Sequence, residues 1–136
     1  AEAGADAIKF QTFKAEHLVT QFAETANYQK KSMGKSISQF ELLSGLELSF
    51  ELHHELFNYC KKKNIKFMST AFDSPSLEFL VNNLRLETLK VSSGDLTNGP
   101  FLLEHARTGL DMILSTGMSS LSEIREALGI IAFGLL

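Results

Sequence analysis

The sequence predicts an α/β fold in which short buried strands alternate with amphipathic helices. Three observations carry this expectation. Four apolar runs, AIKFQTF (7–13), IKFMSTAF (65–72), TLKVSSG (88–94) and DMILSTG (111–117), are rich in apolar or β-branched residues and close on small, polar or turn residues. Helical patterns fall between them and after the last. The last three strands start about 22–25 residues apart, the tight period of a βα barrel or of a doubly wound sheet. None of the runs alternates cleanly between apolar and polar, so a parallel sheet covered on its outer side is expected.

Each helix has its own signals. Residues 49–64, SFELHHELFNYCKKKN, set Leu52, Leu56 and Cys60 at four-residue steps on one face. In DSPSLEFLVNNL (73–84), Asp73 or Ser74 can cap, Pro75 fits the first turn, and Leu77, Leu80, Val81 and Leu84 form the stripe. GPFLLEHARTG (99–109) has Pro100 near its start and Gly109 as a stop. SSLSEIREAL (119–128) has Ser120 and Glu123 in capping-box spacing, and the tail is read as this helix continuing past Gly129. Residues 14–48 read as a long, polar, irregular connection, of the kind usually kept for function or left disordered.

Composition narrows the possible functions. The 136 residues suffice for one domain with a real core. A net charge of −3 offers no basic stripe to phosphates, so no nucleic-acid partner is expected. The KKK run at 61–63 ends a helix, where cations suit the dipole and are simply solvated. Cys60 is the only cysteine, which excludes an internal disulfide and fits a reducing, cytoplasmic compartment. No apolar run approaches the ~20 residues of a membrane span, and AEAGADAIKF is no signal peptide. The chain lacks an initiator methionine and ends on LGIIAFGLL without a polar tail, so both ends are read as cut from something longer.

Every strand carries polar residues at its C-terminal end: Lys9, Gln11 and Thr12; Ser69 and Thr70; Lys90, Ser92, Ser93 and Asp95; Ser115 and Thr116. In a parallel α/β protein these ends share the face where ligands bind. Lys9 and Gln11 have one parity, and Phe10 points the other way, toward the helices. Lys90 has the parity of Ser92, opposite to Leu89 and Val91. Two lysines inside one barrel repel each other and are desolvated, which an anionic ligand between them would relieve. Hydroxyls around two lysines suit a phosphate or carboxylate. The alternatives stay open for any single residue: a strand-end Ser or Thr is commonly a turn residue, and a lone lysine can snorkel out. The histidines suggest no metal site. His53 and His54 are adjacent and point to different helix faces, while His17 and His105 read as structural or surface residues. Cys60 falls on an apolar stripe and reads as a buried thiol.

KFQTF, FMSTAFD, LKVSSGDLTN and ILSTGM, in this order and at these separations, resemble the N-terminal barrel of the sialic acid synthase family. That family includes N-acetylneuraminate, legionaminate and pseudaminate synthases. The resemblance covers nearly the whole chain. It implies a (β/α)8 TIM barrel of which residues 1–136 cover about four consecutive strand–helix units. It also implies condensation of phosphoenolpyruvate with an N-acetylated hexosamine, N-acetylmannosamine or a related amino sugar, to a nine-carbon sialic-acid-type sugar and phosphate.

The resemblance makes Lys9, Gln11 and Asp95 the catalytic candidates. Lys9 and Gln11 match the lysine and glutamine of the family's KFQ segment. Asp95 stands where many bacterial members have glutamate, and would handle a proton or orient a lysine. Lys90, Ser93, Thr70 and Ser115 would bind phosphoenolpyruvate. Ala71 replaces the family's usual proline after Thr70, which loosens a turn but removes no ligand group. A divalent cation, manganese or magnesium, is implied, with its two histidine ligands expected beyond residue 136. A glutamate of the first strand and a C-terminal antifreeze-like domain, with its arginine reaching across a homodimer, are likewise expected outside these residues. The segment 14–48 is expected to help choose the sugar, through residues such as Asn27, Tyr28 and Gln39, or else to be flexible cover. Two further readings are a related phosphoenolpyruvate-condensing synthase making a shorter keto sugar acid, and a non-catalytic half-barrel that binds an anion or assembles with a partner.

Overall fold

The computed structural model describes residues 2–21, 23 and 38–136. Four strands form one parallel sheet: β1 (Ala7–Thr12), β2 (Lys66–Ala71), β3 (Thr88–Val91) and β4 (Asp111–Leu114), in the spatial order β1-β2-β3-β4. The helices are α1 (Ala15–Leu18), α2 (Gln39–Leu46), α3 (Phe50–Lys62), α4 (Ser74–Glu78), α5 (Gly99–Arg107) and α6 (Leu121–Gly134). Among the described residues no helix is long and apolar enough to cross a membrane.

The strand order separates the two architectures compatible with the spacing. A doubly wound sheet reverses its strand order at a switch point; a barrel does not. Here each strand pairs with the next in sequence. Right-handed crossovers in one direction put every helix on the same side of the sheet. The packing agrees. Phe67, Ala71 and Leu89 lie in one buried cluster with Cys60, Leu80 and Phe101, while Phe10 and Met112 pack against it. Val91 joins Leu96, Leu102 and Ala127 in a second cluster, with Leu114 against it. The alternate strand residues Lys9, Gln11, Met68, Thr70, Lys90 and Ile113 belong to neither cluster and line the other face. The chain is therefore a four-strand arc of a TIM-barrel-type α/β fold, with helices outside and an open inner face.

The caps follow the sequence closely. Ser49 accepts from the Leu52 N–H, Asp73 from Ser76 N–H and Asn98 from Phe101 N–H. Ser120 and Glu123 form the reciprocal capping box, and α6 runs to Gly134. That glycine permits close approach to α5: a Cβ there would stand 2.6 Å from the Cβ of Ala106. Asn64 (φ 51°) ends α3 in the left-handed region, which asparagine tolerates better than most residues.

Several expectations need correction. All four strands are shorter than their apolar runs: β1 ends before Phe13, β2 leaves out Ile65 and Phe72, and β3 and β4 stop before their closing Ser, Thr and Gly residues, which after β3 form a 3-10 turn. The 73–84 helix is α-helical only to Glu78 and continues as a π-helical turn over Phe79–Asn83. Residues 14–48 are not uniformly irregular: they contain α1 and α2, and α2 starts on a capping box between Ser38 and Glu41. Asn27 and Tyr28 lie outside the described residues. The buried residues of α3 are His53 and Cys60, with Leu56 and Phe57 partly buried, whereas Leu52 is exposed.

Thr12 and Ser69 also depart from the expected face. Their parity turns them outward, toward α3, and both are fully buried. The Thr12 hydroxyl lies 2.8 Å from His53 Nε2 and 2.7 Å from the Ser69 hydroxyl. The polar end of these two strands therefore splits between the open inner face and a hydrogen-bonded core.

Candidate active site

The site begins with strand register. Gln11 pairs with Thr70, Thr70 with Lys90, and Lys90 with Ile113, so one row crosses the inner face from β1 to β4. Lys9 lies two residues earlier on β1, on the same face. Ser115 follows β4, its N–H bonded to the Val91 carbonyl, and stands beside the end of β3. Two strand intervals separate β1, which carries Lys9, from β3, which carries Lys90, by about 10 Å. Thr70 comes between them and is buried, while Lys9 and Gln11 are exposed on the open face.

Lys90 has the best-defined geometry. Its ammonium donates to the Val91 carbonyl and to the Ser115 hydroxyl, both at 2.6 Å. A lysine has three N–H donors, so one remains for a ligand. Burial holds the Lys90 ammonium below its usual pKa, and the charge of Lys9 pushes it further in the same direction. The two lysines thus share one unfavourable field, which a bound anion would relieve.

The turn after β3 sets the rim. Ser92 accepts from the Gly94 N–H through its side chain and from Asp95 N–H through its carbonyl, closing a 3-10 turn over Ser93–Asp95. Leu96, buried in the second cluster, anchors this turn to the core. Ser92 is thereby a turn-forming residue, while Ser93 and Asp95 are carried at the mouth of β3. One Asp95 carboxyl oxygen, Oδ2, is buried and has no hydrogen-bond partner among the described residues. Burial raises the Asp95 pKa, favouring the protonated acid.

A second rim element was not legible in the sequence. Lys14, just after β1, donates through its backbone N–H to Asp73 and through its ammonium to Glu47, at 2.8 and 2.7 Å. Glu47 also accepts from the Ala15 N–H at 2.9 Å, and these two hydrogen bonds, the Lys14 bond first, lower its pKa. His17 lies 3.7 Å from Asp73. These contacts tie α1 and the end of α2 to the N-terminus of α4, beside the C-terminal end of the sheet. Gln39 begins α2, and its side-chain oxygen is buried without a partner among the described residues.

The inner face is an arc rather than an enclosed hollow, so the convergence of cationic and hydroxyl groups locates the site. Its donor set fits an anion. It does not fit a divalent cation: lysines repel one, and among the described residues no three His, Cys, Asp or Glu side chains come together. No reaction step is assigned through a metal held by these residues.

Comparisons with known proteins agree with this architecture. The chain is 47% identical over 127 residues to an N,N'-diacetyllegionaminic acid synthase of Legionella pneumophila, covering 93% of this chain and 35% of that protein. It is 33% identical over 131 residues to the human N-acetylneuraminate-9-phosphate synthase, covering 96% of this chain and 36% of that one. Among solved structures, the N-acetylneuraminic acid (sialic acid) synthetase of Leptospira borgpetersenii, crystallised with citrate, superposes with a TM-score of 0.80 at 32% identity. That match covers 98% of this chain and 42% of the other. The chain spans about a third of the length of the two curated relatives. The NeuB family profile matches residues 1–134, and with that match the inner-face lysines, the strand order and the relatives converge: the chain belongs to the NeuB family.

Proposed function

We propose that these residues form the phosphoenolpyruvate-binding part of a sialic-acid-type synthase. The reaction condenses phosphoenolpyruvate with an N-acetylated hexosamine to give a nine-carbon 2-keto sugar acid and inorganic phosphate. Carbon 3 of phosphoenolpyruvate forms the new bond to the aldehyde carbon of the open-chain sugar. Water adds at carbon 2, and phosphate leaves with cleavage of its C–O bond. The observation that carries the reading is the Lys90 ammonium, held by Ser115 and Val91, on the same face as Thr70 and Lys9. The relatives named as legionaminic, N-acetylneuraminate-9-phosphate and pseudaminic acid synthases support it.

In this reading Lys90, Thr70, Ser93 and Ser115 hold the phosphate and carboxylate. Preorganised donors in a partly desolvated site stabilise the charge that develops as the carbon–carbon bond forms. Lys9 and Gln11 face the reacting ends of both substrates. Asp95, whose burial favours the protonated acid, handles the proton that accompanies water addition or phosphate departure. A manganese or magnesium ion would polarise the sugar aldehyde, on ligands outside this chain. The same reading expects a cytoplasmic homodimer whose partners are these two small molecules, with no nucleic acid or membrane.

The test is sugar-dependent phosphate release. The complete protein is incubated with phosphoenolpyruvate, a divalent cation and a panel of N-acetylated hexosamines, including N-acetylmannosamine and diacetylated analogues. Release of one phosphate per nine-carbon acid formed supports the synthase. Phosphoenolpyruvate binding without turnover on any sugar would replace it with a non-catalytic anion-binding role.

A further inference from the structure

Behind the inner face lies a polar chain that the proposed chemistry does not use. His53, Thr12 and Ser69 are all fully buried, behind the sheet on the side of an apolar cluster of Phe, Leu, Ala71 and Cys60. His53 Nδ1 lies 2.8 Å from the Ser49 carbonyl, which only accepts, so Nδ1 carries the proton. In the neutral ring Nε2 is then the acceptor, and the Thr12 hydroxyl donates to it. The Ser69 hydroxyl in turn donates to Thr12. One tautomer thus fixes the direction of every bond, from β2 through β1 to the first turn of α3.

Strand register gives this chain its position. Phe10 pairs with Ser69, Gln11 with Thr70, and Thr12 with Ala71. Thr12 and Ser69 are diagonal neighbours on the outer face, so their hydrogen bond crosses directly behind the Gln11–Thr70 pair on the inner face. Each of these site residues is covalently adjacent to a member of the chain. Ladder hydrogen bonds already pair the two strands, but apolar contacts alone would let α3 and the side chains behind the pair shift by fractions of an ångström, whereas hydrogen bonds restrict distance and angle. Reaction rates are sensitive to displacement on that scale.

We propose that His53 is a positioning residue, which sets the relative placement of Gln11 and Thr70 through Thr12 and Ser69. The proposal rests on the synthase reading. A merely structural chain would be dispensable for rate once its polar groups had been replaced by apolar ones of similar shape, since removing all partners together leaves nothing buried and unpaired.

The experiment compares Thr12→Val, Thr12→Ser and the triple change His53→Leu, Thr12→Val, Ser69→Ala in the complete protein. Unfolding midpoints are measured, and kcat and KM are determined per folded enzyme, well below those midpoints. The expected result is a fall in kcat of about tenfold or more for Thr12→Val. The fall should persist in the triple variant even where its midpoint returns toward the parent's. Thr12→Ser, which keeps the hydroxyl, should retain at least half of the parent kcat. A Thr12→Val enzyme with parental kcat overturns the proposal, whatever its stability. So does a triple variant that regains both midpoint and kcat. Should the triple variant not fold, Thr12→Val against Thr12→Ser decides. An inactive parent would count against the synthase reading instead. Position control would then be judged by whether Thr12→Val shifts the Gln11 and Thr70 amide resonances while Thr12→Ser leaves them in place; no shift would overturn it.

Discussion

Replacing Lys90 by methionine isolates the charge that the proposed function requires. Methionine keeps the apolar stem and deletes the ammonium, so little packing is lost. The parent ammonium has one donor left after Val91 and Ser115. A hydrogen bond to a charged group contributes about 1.5–3 kcal/mol. The bare Coulomb attraction between unit charges at ~4 Å and an effective dielectric of ~20 is about 4 kcal/mol. Part of that is offset by the desolvation that already lowers the Lys90 pKa. A net loss of about 2–3 kcal/mol is reasonable, or about 30- to 150-fold in phosphoenolpyruvate affinity.

Stability should move differently. Lys90→Met removes a half-buried charge and its repulsion with Lys9, while Ser115 remains half-exposed and can bond to water. The midpoint of unfolding should therefore be unchanged or raised. The assay is calorimetric titration with phosphoenolpyruvate, paired with KM in the sugar-dependent reaction and a thermal melt. Affinity and KM within twofold of the parent would refute the assignment of Lys90 to the ligand. Weaker binding accompanied by a collapsed melting curve would show that the residue serves the fold.

Two further outcomes test the fold. Ser120→Ala breaks the capping box that starts α6 and should cost about 1 kcal/mol in denaturant unfolding, so an unchanged midpoint would mean that packing alone fixes this terminus. His105 is buried, with Nε2 unpartnered among the described residues and Nδ1 donating to the Phe101 carbonyl, and burial lowers its pKa from 6.5 despite opposing contributions from that hydrogen bond and from Glu104. The unfolded chain therefore takes up more protons once the pH drops below about 6.5, and the stability present above that value is lost as the pH falls toward the folded pKa. His105→Leu should flatten this part of the stability–pH curve relative to the parent; parallel curves would show that His105 does not contribute to it.

Much of the fold can be read from local pattern. The four apolar runs, Asp73 before Pro75, Asn98 before Pro100, and Ser120 with Glu123 each specify their element within a few residues of chain. The capping box of Ser38 and Glu41 was equally local, but was hidden in a segment read as irregular by its polarity. Of the candidate site, Lys9, Gln11 and Lys90 were placed on one face by parity alone, since a strand's side-chain period is two.

What the sequence by itself determined, then, was the succession of strands and helices and the ends at which polar residues gather. Both follow from backbone periodicity and capping, which act over a few residues. Spacing alone left a barrel arc and a doubly wound sheet open, because strand order is a relation between segments 20 or more residues apart; the family resemblance implied the barrel, and the observed strand order bears it out. Only the tertiary structure paired Lys14 with Glu47 and Lys90 with Ser115. It also divided the polar strand ends, turning Thr70 toward the inner face and Ser69 and Thr12 toward His53. A hydroxyl has the same chemistry in either place. Whether it meets a ligand or a histidine depends on what the other elements bring against that face.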